Sequence, residues 1–171
     1  MPDEQVTPVQ ISDFPGVWNI ITECVRHLQE AGSDQWGDFY PTREIIRADI
    51  EQSQMYKHHG DNDEVLGLIT LNEQQEPEYT PLPWRYTQPP ILVVHRLIVN
   101  PAYYRKGIGT RLMHFTQSYA RQNGYRSIRL DAYTANPAAI ALYTKLDFNS
   151  VGQICFPRRQ HPFLCFEKPC E

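Results

Sequence analysis

The sequence predicts a mixed α/β fold of α+β character: a central sheet holding both parallel and antiparallel strands, flanked by helices. Three observations carry this. The run Ile91–Val99 is apolar at odd and even positions alike, as a central strand covered on both sides must be. From Ile108 the period changes from two to 3.6, with Ile108, Leu112, Phe115 and Tyr119 along one helical stripe that ends at Gly124. Ser127 to Ala132 then alternates again, so Ile91 to Ala132 reads as strand, crossover helix and second, parallel strand.

The remaining elements follow in order. Val6 to Gln10 alternates weakly and suits an edge strand. Ser12 or Asp13 then caps a helix with Val17, Ile20, Ile21, Cys24, Val25 and Leu28 at helical spacing, closed by Gly32. After an aromatic loop, Gln35 to Pro41, Thr42 opens a second helix carrying Ile45, Ile46, Asp49 and Ile50 and ending near Gln54. Met55 to His59 and Val65 to Asn72 form a hairpin around a Gly60-Asp61-Asn62-Asp63 turn, with Gly67 marking a bulge or a close backbone approach. The stretch Glu73 to Pro90, rich in Gln, Glu and Pro, is long for a connection in a compact domain and suits a lid or pocket wall. Asn136-Pro137 starts another helix, presenting Ala139, Leu142, Tyr143 and Leu146 inward. Phe148 to Phe156 and Phe163 to Lys168 are the final strands.

The 171 residues suit one domain, 1–171, and are too few for two of ordinary size. Hydrophobic content of 41% and charged content of 21% are globular values. A net charge of −4 without a long basic run argues against nucleic acid as the main partner. No apolar run approaches the roughly 20 residues that cross a bilayer, so no membrane role is expected. Four cysteines without C-x-x-C spacing, behind an acidic start with no apolar signal region, point to a reducing, cytoplasmic setting; a monomer or homodimer is expected, with nothing in the sequence to choose between them. The six histidines show no ligand spacing, so no metal is expected.

The chemistry concentrates at the turn before the crossover helix. A helix start leaves N–H groups unpaired and carries partial positive charge, and Gly107 and Gly109 let a ligand approach that main chain. Arg105, Lys106 and Arg111 add positive charge, so the expected ligand is anionic. A dinucleotide fold, with Asp131 on the ribose, fails on three counts. Leu112 stands where the third glycine belongs, seven residues separate strand from glycine, and only 40 residues follow Asp131. A P-loop fails for want of Gly-Lys-Ser/Thr.

With the strand, this turn and Asn136-Pro137-Ala138-Ala139-Ile140-Ala141-Leu142-Tyr143-Thr144-Lys145-Leu146-Asp147-Phe148, the chain resembles the GCN5-related N-acetyltransferase (GNAT) family. That family carries a (Gln/Arg)-x-x-Gly-x-(Gly/Ala) turn and an Asn-x-x-Ala-x-x-Leu-Tyr-x-Lys-x-Gly-Phe segment. The resemblance implies a sheet whose parallel strands splay, acetyl-CoA as cofactor and CoA as product, with no metal. It further implies acetyl transfer to a primary amine, on a small molecule or a peptide, by direct attack. Leu97, Ile98 and Val99 would pair with the pantetheine arm and offer an N–H to the oxyanion, while Tyr104, Arg105, Lys106, Gly107, Ile108, Gly109, Thr110 and Asn136 would hold the cofactor. Tyr143 matches the family's acid, which supplies or shares a proton with the departing thiolate; its packing alternative is an aromatic of the Leu142–Leu146 stripe. Two residues depart from the pattern: Tyr104 stands where Gln or Arg is usual, implying weaker or altered cofactor affinity, and Asp147 stands where Gly is usual.

For the base, His95 has a suitable pKa, with a hydrogen-bonded strand histidine as the ordinary reading of the same residue; Glu44 and Asp49 are further candidates, behind His95. Trp36, Tyr40 and Trp84 are expected to wall the acceptor pocket, with Arg158 or Arg159 binding an acidic substrate group. A noncatalytic acyl-CoA-binding or regulatory module on the same fold is the rival reading.

Overall fold

The computed structural model describes residues 5–171; the acidic start read in the sequence at Met1 to Glu4 lies outside the described residues. Strands β1 (Val6–Pro8), β2 (Met55–His59), β3 (Val65–Asn72), β4 (Ile91–Val99), β5 (Ser127–Tyr133), β6 (Asn149–Ile154) and β7 (Phe163–Pro169) make one sheet in the order β1-β2-β3-β4-β5-β7-β6. Helices α1 (Phe14–Glu30), α2 (Arg43–Glu51), α3 (Ile108–Gln122) and α4 (Pro137–Lys145) complete the expected mixed α/β architecture. β4 and β5 are parallel, whereas β1–β2, β2–β3, β5–β7 and β6–β7 are antiparallel.

The described residues cluster into two compact units. The first comprises residues up to Leu71 with Arg96–Phe115. Its core joins Val17, Ile21 and Cys24 of α1 to Ile46 and Ile50 of α2 and to Met55, Leu68 and Ile98 of the sheet. α1 is entered through a 3-10 turn, Ile11–Asp13, where the Asp13 carboxylate accepts the Gln10 N–H at 2.8 Å; Asp13 then stands at the N-cap position of α1 without a side-chain bond to it, so neither Ser12 nor Asp13 caps that helix through its side chain. Thr42 caps α2 through its hydroxyl on Ile45 N–H. α2 stops at Glu51, short of the expected Gln54. Ser53 turns left-handed (φ 58°), and Ser53 and Gln54 N–H groups bond back to Ile50 and Asp49, a Schellman closure made without the glycine that marks such ends.

Gly67 is a close-approach position. A Cβ there would stand 2.7 Å from Ile108 Cγ2 and 3.0 Å from both Ile98 O and Leu112 Cδ1. Since Ile108 begins α3, the missing side chain sets the height of the helix start. Gly67→Ala is expected to cost about 1–3 kcal/mol by overpacking, read as a lowered denaturant midpoint at unchanged slope; an unchanged midpoint would refute the close packing.

The second unit, Asn72–His95 with Thr116–Glu171, packs Tyr79, Val93, Tyr133, Ile154, Phe163 and Cys165 together. The long connection after β3 is tied to it as a wall. Tyr79 is buried, and the buried Glu167 carboxylate accepts the backbone N–H groups of Arg85 and Tyr86 at 2.9 and 3.2 Å. β6 is shorter than the expected Phe148 to Phe156, because the Pro157–Pro162 turn and the helix-closing Asp147-Phe148 take its ends. Among the described residues no helix is long and apolar enough to cross a membrane.

Candidate functional site

The glycine turn is built from β4 outward. Asn100 receives the chain: its N–H donates to Leu66 O at 2.9 Å, its side-chain amide donates to Val65 O, and its Oδ1 accepts Ala102 N–H. After the 3-10 turn Pro101–Tyr103, Arg105 and Gly107 both turn left-handed (φ 63° and 77°) with Lys106 between them. Such alternation gathers successive N–H groups toward one side, making an anion-binding concavity. The first helical bond runs from Arg111 N–H to Gly107 O, so the N–H groups of Ile108, Gly109 and Thr110 precede the α3 ladder. Nothing lies within 4 Å of the place a Gly107 Cβ would occupy, and residues 104–107 are exposed. A phosphate-bearing ligand therefore fits the residues present.

β4 itself carries the second feature. Its parallel register with β5 pairs Ile91–Val93 with Ser127–Arg129, and both strands continue beyond it, β4 to Val99 and β5 to Tyr133. Within that continuation Arg96 is left-handed (φ 49°), a costly conformation for a non-glycine residue in a strand. Its guanidinium is held on the Asp49 carboxylate by two bonds of 2.7 Å and donates to Tyr40 Oη at 2.8 Å, while Thr70 Oγ1 donates to Asp49 at 3.0 Å. This bidentate, fully hydrogen-bonded pair compensates a buried charge that alone would be strongly destabilising.

In the second unit, Asn136 caps α4 by accepting Ala139 N–H at 3.2 Å. The helix closes in a Schellman motif: Phe148 N–H bonds Tyr143 O, and Asp147 N–H bonds Thr144 O. Asp147 takes the left-handed position (φ 63°) that explains why glycine is usual there. Tyr143 is 5% exposed, its ring against Phe148 and Phe166. Burial, and next the Asp131 charge, push its phenol above the ordinary tyrosine value, so it stays protonated. Among the described residues nothing bonds to its hydroxyl. Asp131, in mid-β5, accepts Tyr79 Oη–H at 2.7 Å through Oδ2; burial is the main cause that raises its carboxyl to about 6.

The other sequence candidates take varied places. His95 Nε2 lies 2.8 Å from Asn72 Oδ1 and 3.0 Å from Gln74 O. Both are acceptors, Asn72 Oδ1 also receiving Gln74 N–H, so Nε2 carries the proton and donates. Tyr104 turns onto α1, its ring edge-on to His27 and its hydroxyl 3.9 Å from Cys24 Sγ. Trp36 is only 8% exposed and belongs to the first core. Tyr40, edge-on to it, offers its hydroxyl to Arg96. Trp84 donates Nε1–H to Tyr79 O and lies under the Arg129 guanidinium, 4.2 Å from the ring. Arg159 stacks on Phe163 and Arg158 is exposed with φ 66°.

Residues 19–148 match the Acetyltransferase (GNAT) family. The chain belongs to that family. Among solved structures, an acetyltransferase of the GNAT family from Streptococcus agalactiae superposes with a TM-score of 0.83 at 20% identity, covering 98% of this chain and 95% of that one. The Salmonella typhimurium protein yncA, solved with its cofactor acetyl-CoA, has a TM-score of 0.71 at 18% identity over 97% and 93% of the two chains. The N-alpha-acetyltransferase RimI of Mycobacterium tuberculosis is 41% identical over 59 residues, 34% of this chain and 35% of that protein. Matches to the curated relatives span less than half of those proteins' own length.

For this GNAT chain, sequence reading had weighed Asp131 only as a ribose ligand. Its place on the alternating polar face of β5, after Ser127 and Arg129, gave no signal of a further role. The Arg96–Asp49 pair had no signal either, since its partners come from elements 47 residues apart.

Proposed function

We propose that this chain is an N-acetyltransferase that moves the acetyl group of acetyl-CoA to a primary amine by direct attack. The observation that carries it is the open glycine turn at the start of α3, fed by a strand that outruns its parallel partner. Acetyl-CoA, when bound, supplies an acetyl group activated as a thioester. The N–H groups of Ile108, Gly109 and Thr110, with Arg105, Lys106 and Gly107, would hold its phosphates, and the backbone of Leu97, Ile98 and Val99 would take the amide-rich arm. Asn136 acts by fixing the α4 start. Tyr104 enters through its backbone position, since its side chain is spent on α1.

Tyr143 offers a proton that burial keeps on the phenol, so its role is to donate a hydrogen bond to sulfur as negative charge gathers there. Asp131, raised to about 6 and hydrogen-bonded through one oxygen only, has the proton affinity suited to receive a proton from the attacking ammonium. His95 holds the Asn72–Gln74 segment instead. The relative named N-alpha-acetyltransferase supports peptide α-amines as the first acceptors to try.

Release of CoA thiol from acetyl-CoA over a panel of peptide and small amines is the test. Turnover with one class of amine is expected; CoA binding without turnover on any amine would overturn catalysis in favour of a binding module. With an acceptor found, kcat/KM should rise through about pH 6 as Asp131 ionises. Asp131→Asn should remove that limb and lower kcat/KM about 100-fold, whereas His95→Gln should keep it; a limb lost with His95 instead would reassign the base. Stability responds in the opposite sense. The folded carboxyl holds its proton above the ordinary 3.8, so stability falls as pH rises from about 4 to 6. Asp131→Asn should flatten that slope.

A further inference from the structure

Away from the glycine turn, the second unit contains a groove of about 630 Å³ with three guanidinium groups on its walls: Arg85, Arg121 and Arg126. They come from three different segments: the long connection, the last turn of α3 and the residue before β5. Among the described residues none of the three side chains has an acidic partner. Elsewhere in the chain Arg26 pairs with Glu23 and Glu30, Arg47 with Glu51 and Arg96 with Asp49. Among the described residues lining the groove, Glu171 is acidic. In a chain of net charge −4 this is a local excess of positive charge.

The walls are fixed before any ligand arrives. Glu167 holds the backbone of Arg85 and Tyr86, and Arg129 donates to Tyr86 O at 3.0 Å. Arg126 N–H bonds Pro90 O and Cys170 N–H bonds Arg126 O. α3 ends in a Schellman turn, with Gly124 left-handed (φ 73°) and Tyr125 N–H on Ala120 O, which sets the direction in which Arg121 leaves the helix. Tyr125 in turn donates to Glu73 at 3.0 Å. Arg85 lies over the Tyr86 ring, 5.8 Å from its centroid, which leaves its guanidinium edge open to an anion.

We propose that this groove is a binding site for a small polyanion, held by bidentate guanidinium contacts. Planar five-donor forks match phosphate and carboxylate oxygens alike, and the volume suits a small molecule rather than a chain surface. Three positive charges lining one groove ask for at least two anionic groups on one ligand. The site is separate from the phosphates of acetyl-CoA, which belong to the other end of α3, and it stands whether or not the acetyltransferase reading holds.

Calorimetric titration of the full chain at 0.15 M salt tests it, with inorganic pyrophosphate and citrate as the two probes. Saturable one-to-one binding of at least one is expected, with Kd below about 1 mM, weakened at least tenfold by Arg121→Ala with Arg126→Ala and unaffected by Gly109→Trp. Pyrophosphate binding alone would make the ligand a phosphate compound, and citrate binding alone a polycarboxylate; both carry the proposal. No saturable binding of either probe would overturn it. So would binding that survives the paired arginine replacements but is lost in Gly109→Trp, because that anion would then sit at the glycine turn.

Discussion

Gly109→Trp is expected to abolish acetyl-CoA binding, with no heat detected by calorimetry at concentrations that saturate the unaltered chain. Gly109 is the second residue of α3, and its N–H is the middle one of the three that precede the helical ladder. An indole there covers donors that the ligand's phosphates would use, and each lost charge-assisted bond costs about 1.5–3 kcal/mol. Two such losses already weaken binding by more than a hundredfold. The position lies on a partly exposed helix turn, where leaving glycine favours the helix, so the folded state should be retained. Retained far-ultraviolet ellipticity with undiminished binding would refute the cofactor assignment.

Tyr143→Phe is expected to lower kcat about 100-fold, at the low end of what a positioned acid supplies, with acetyl-CoA affinity changed less than about twofold. The substitution keeps the ring that packs on Phe148 and Phe166. It removes a hydroxyl that no described residue bonds, so thermal stability should be unchanged or slightly higher. A purely packing role for this ring therefore predicts no loss of turnover, and full turnover would sink the assignment. A fall in both turnover and melting temperature would point to a hydroxyl with a structural partner.

The two variants separate binding from chemistry because they touch different local devices. Gly109 concerns main-chain donors at a helix start, and Tyr143 concerns a side chain positioned by the Schellman closure of α4. Asp147 belongs to the same closure. Its left-handed backbone at a position where glycine is usual leaves Asp147→Gly as a change that relieves a strained angle without altering any packed atom.

Much of the fold was legible because it follows from short-range periodicity. Alternation in Ile91–Val99 and Ser127–Ala132, and the stripe through Ile108 and Leu112, depend on neighbours within a few residues, and the strands and helices appear where that pattern places them. Helix ends with a chemical mark were legible too, as at Thr42 and Asn136. The end of α2 was not, since Ser53 adopts a glycine-like angle without being glycine.

By itself the sequence determined the mixed α/β class, the strand–turn–helix around Gly107 and Gly109, and the family resemblance that the match over residues 19–148 bears out. These are encoded in contiguous spacing. The tertiary structure decided what distant residues do to one another. It set Arg96 on Asp49, gave His95 Nε2 a donor's duty, turned Tyr104 onto α1, and drew Arg85, Arg121 and Arg126 around one groove. It also raised Asp131 toward neutrality by burying it beside Tyr79. Hydrogen-bond direction and proton affinity depend on which groups meet in space and how much water they keep, and neither is written in local order.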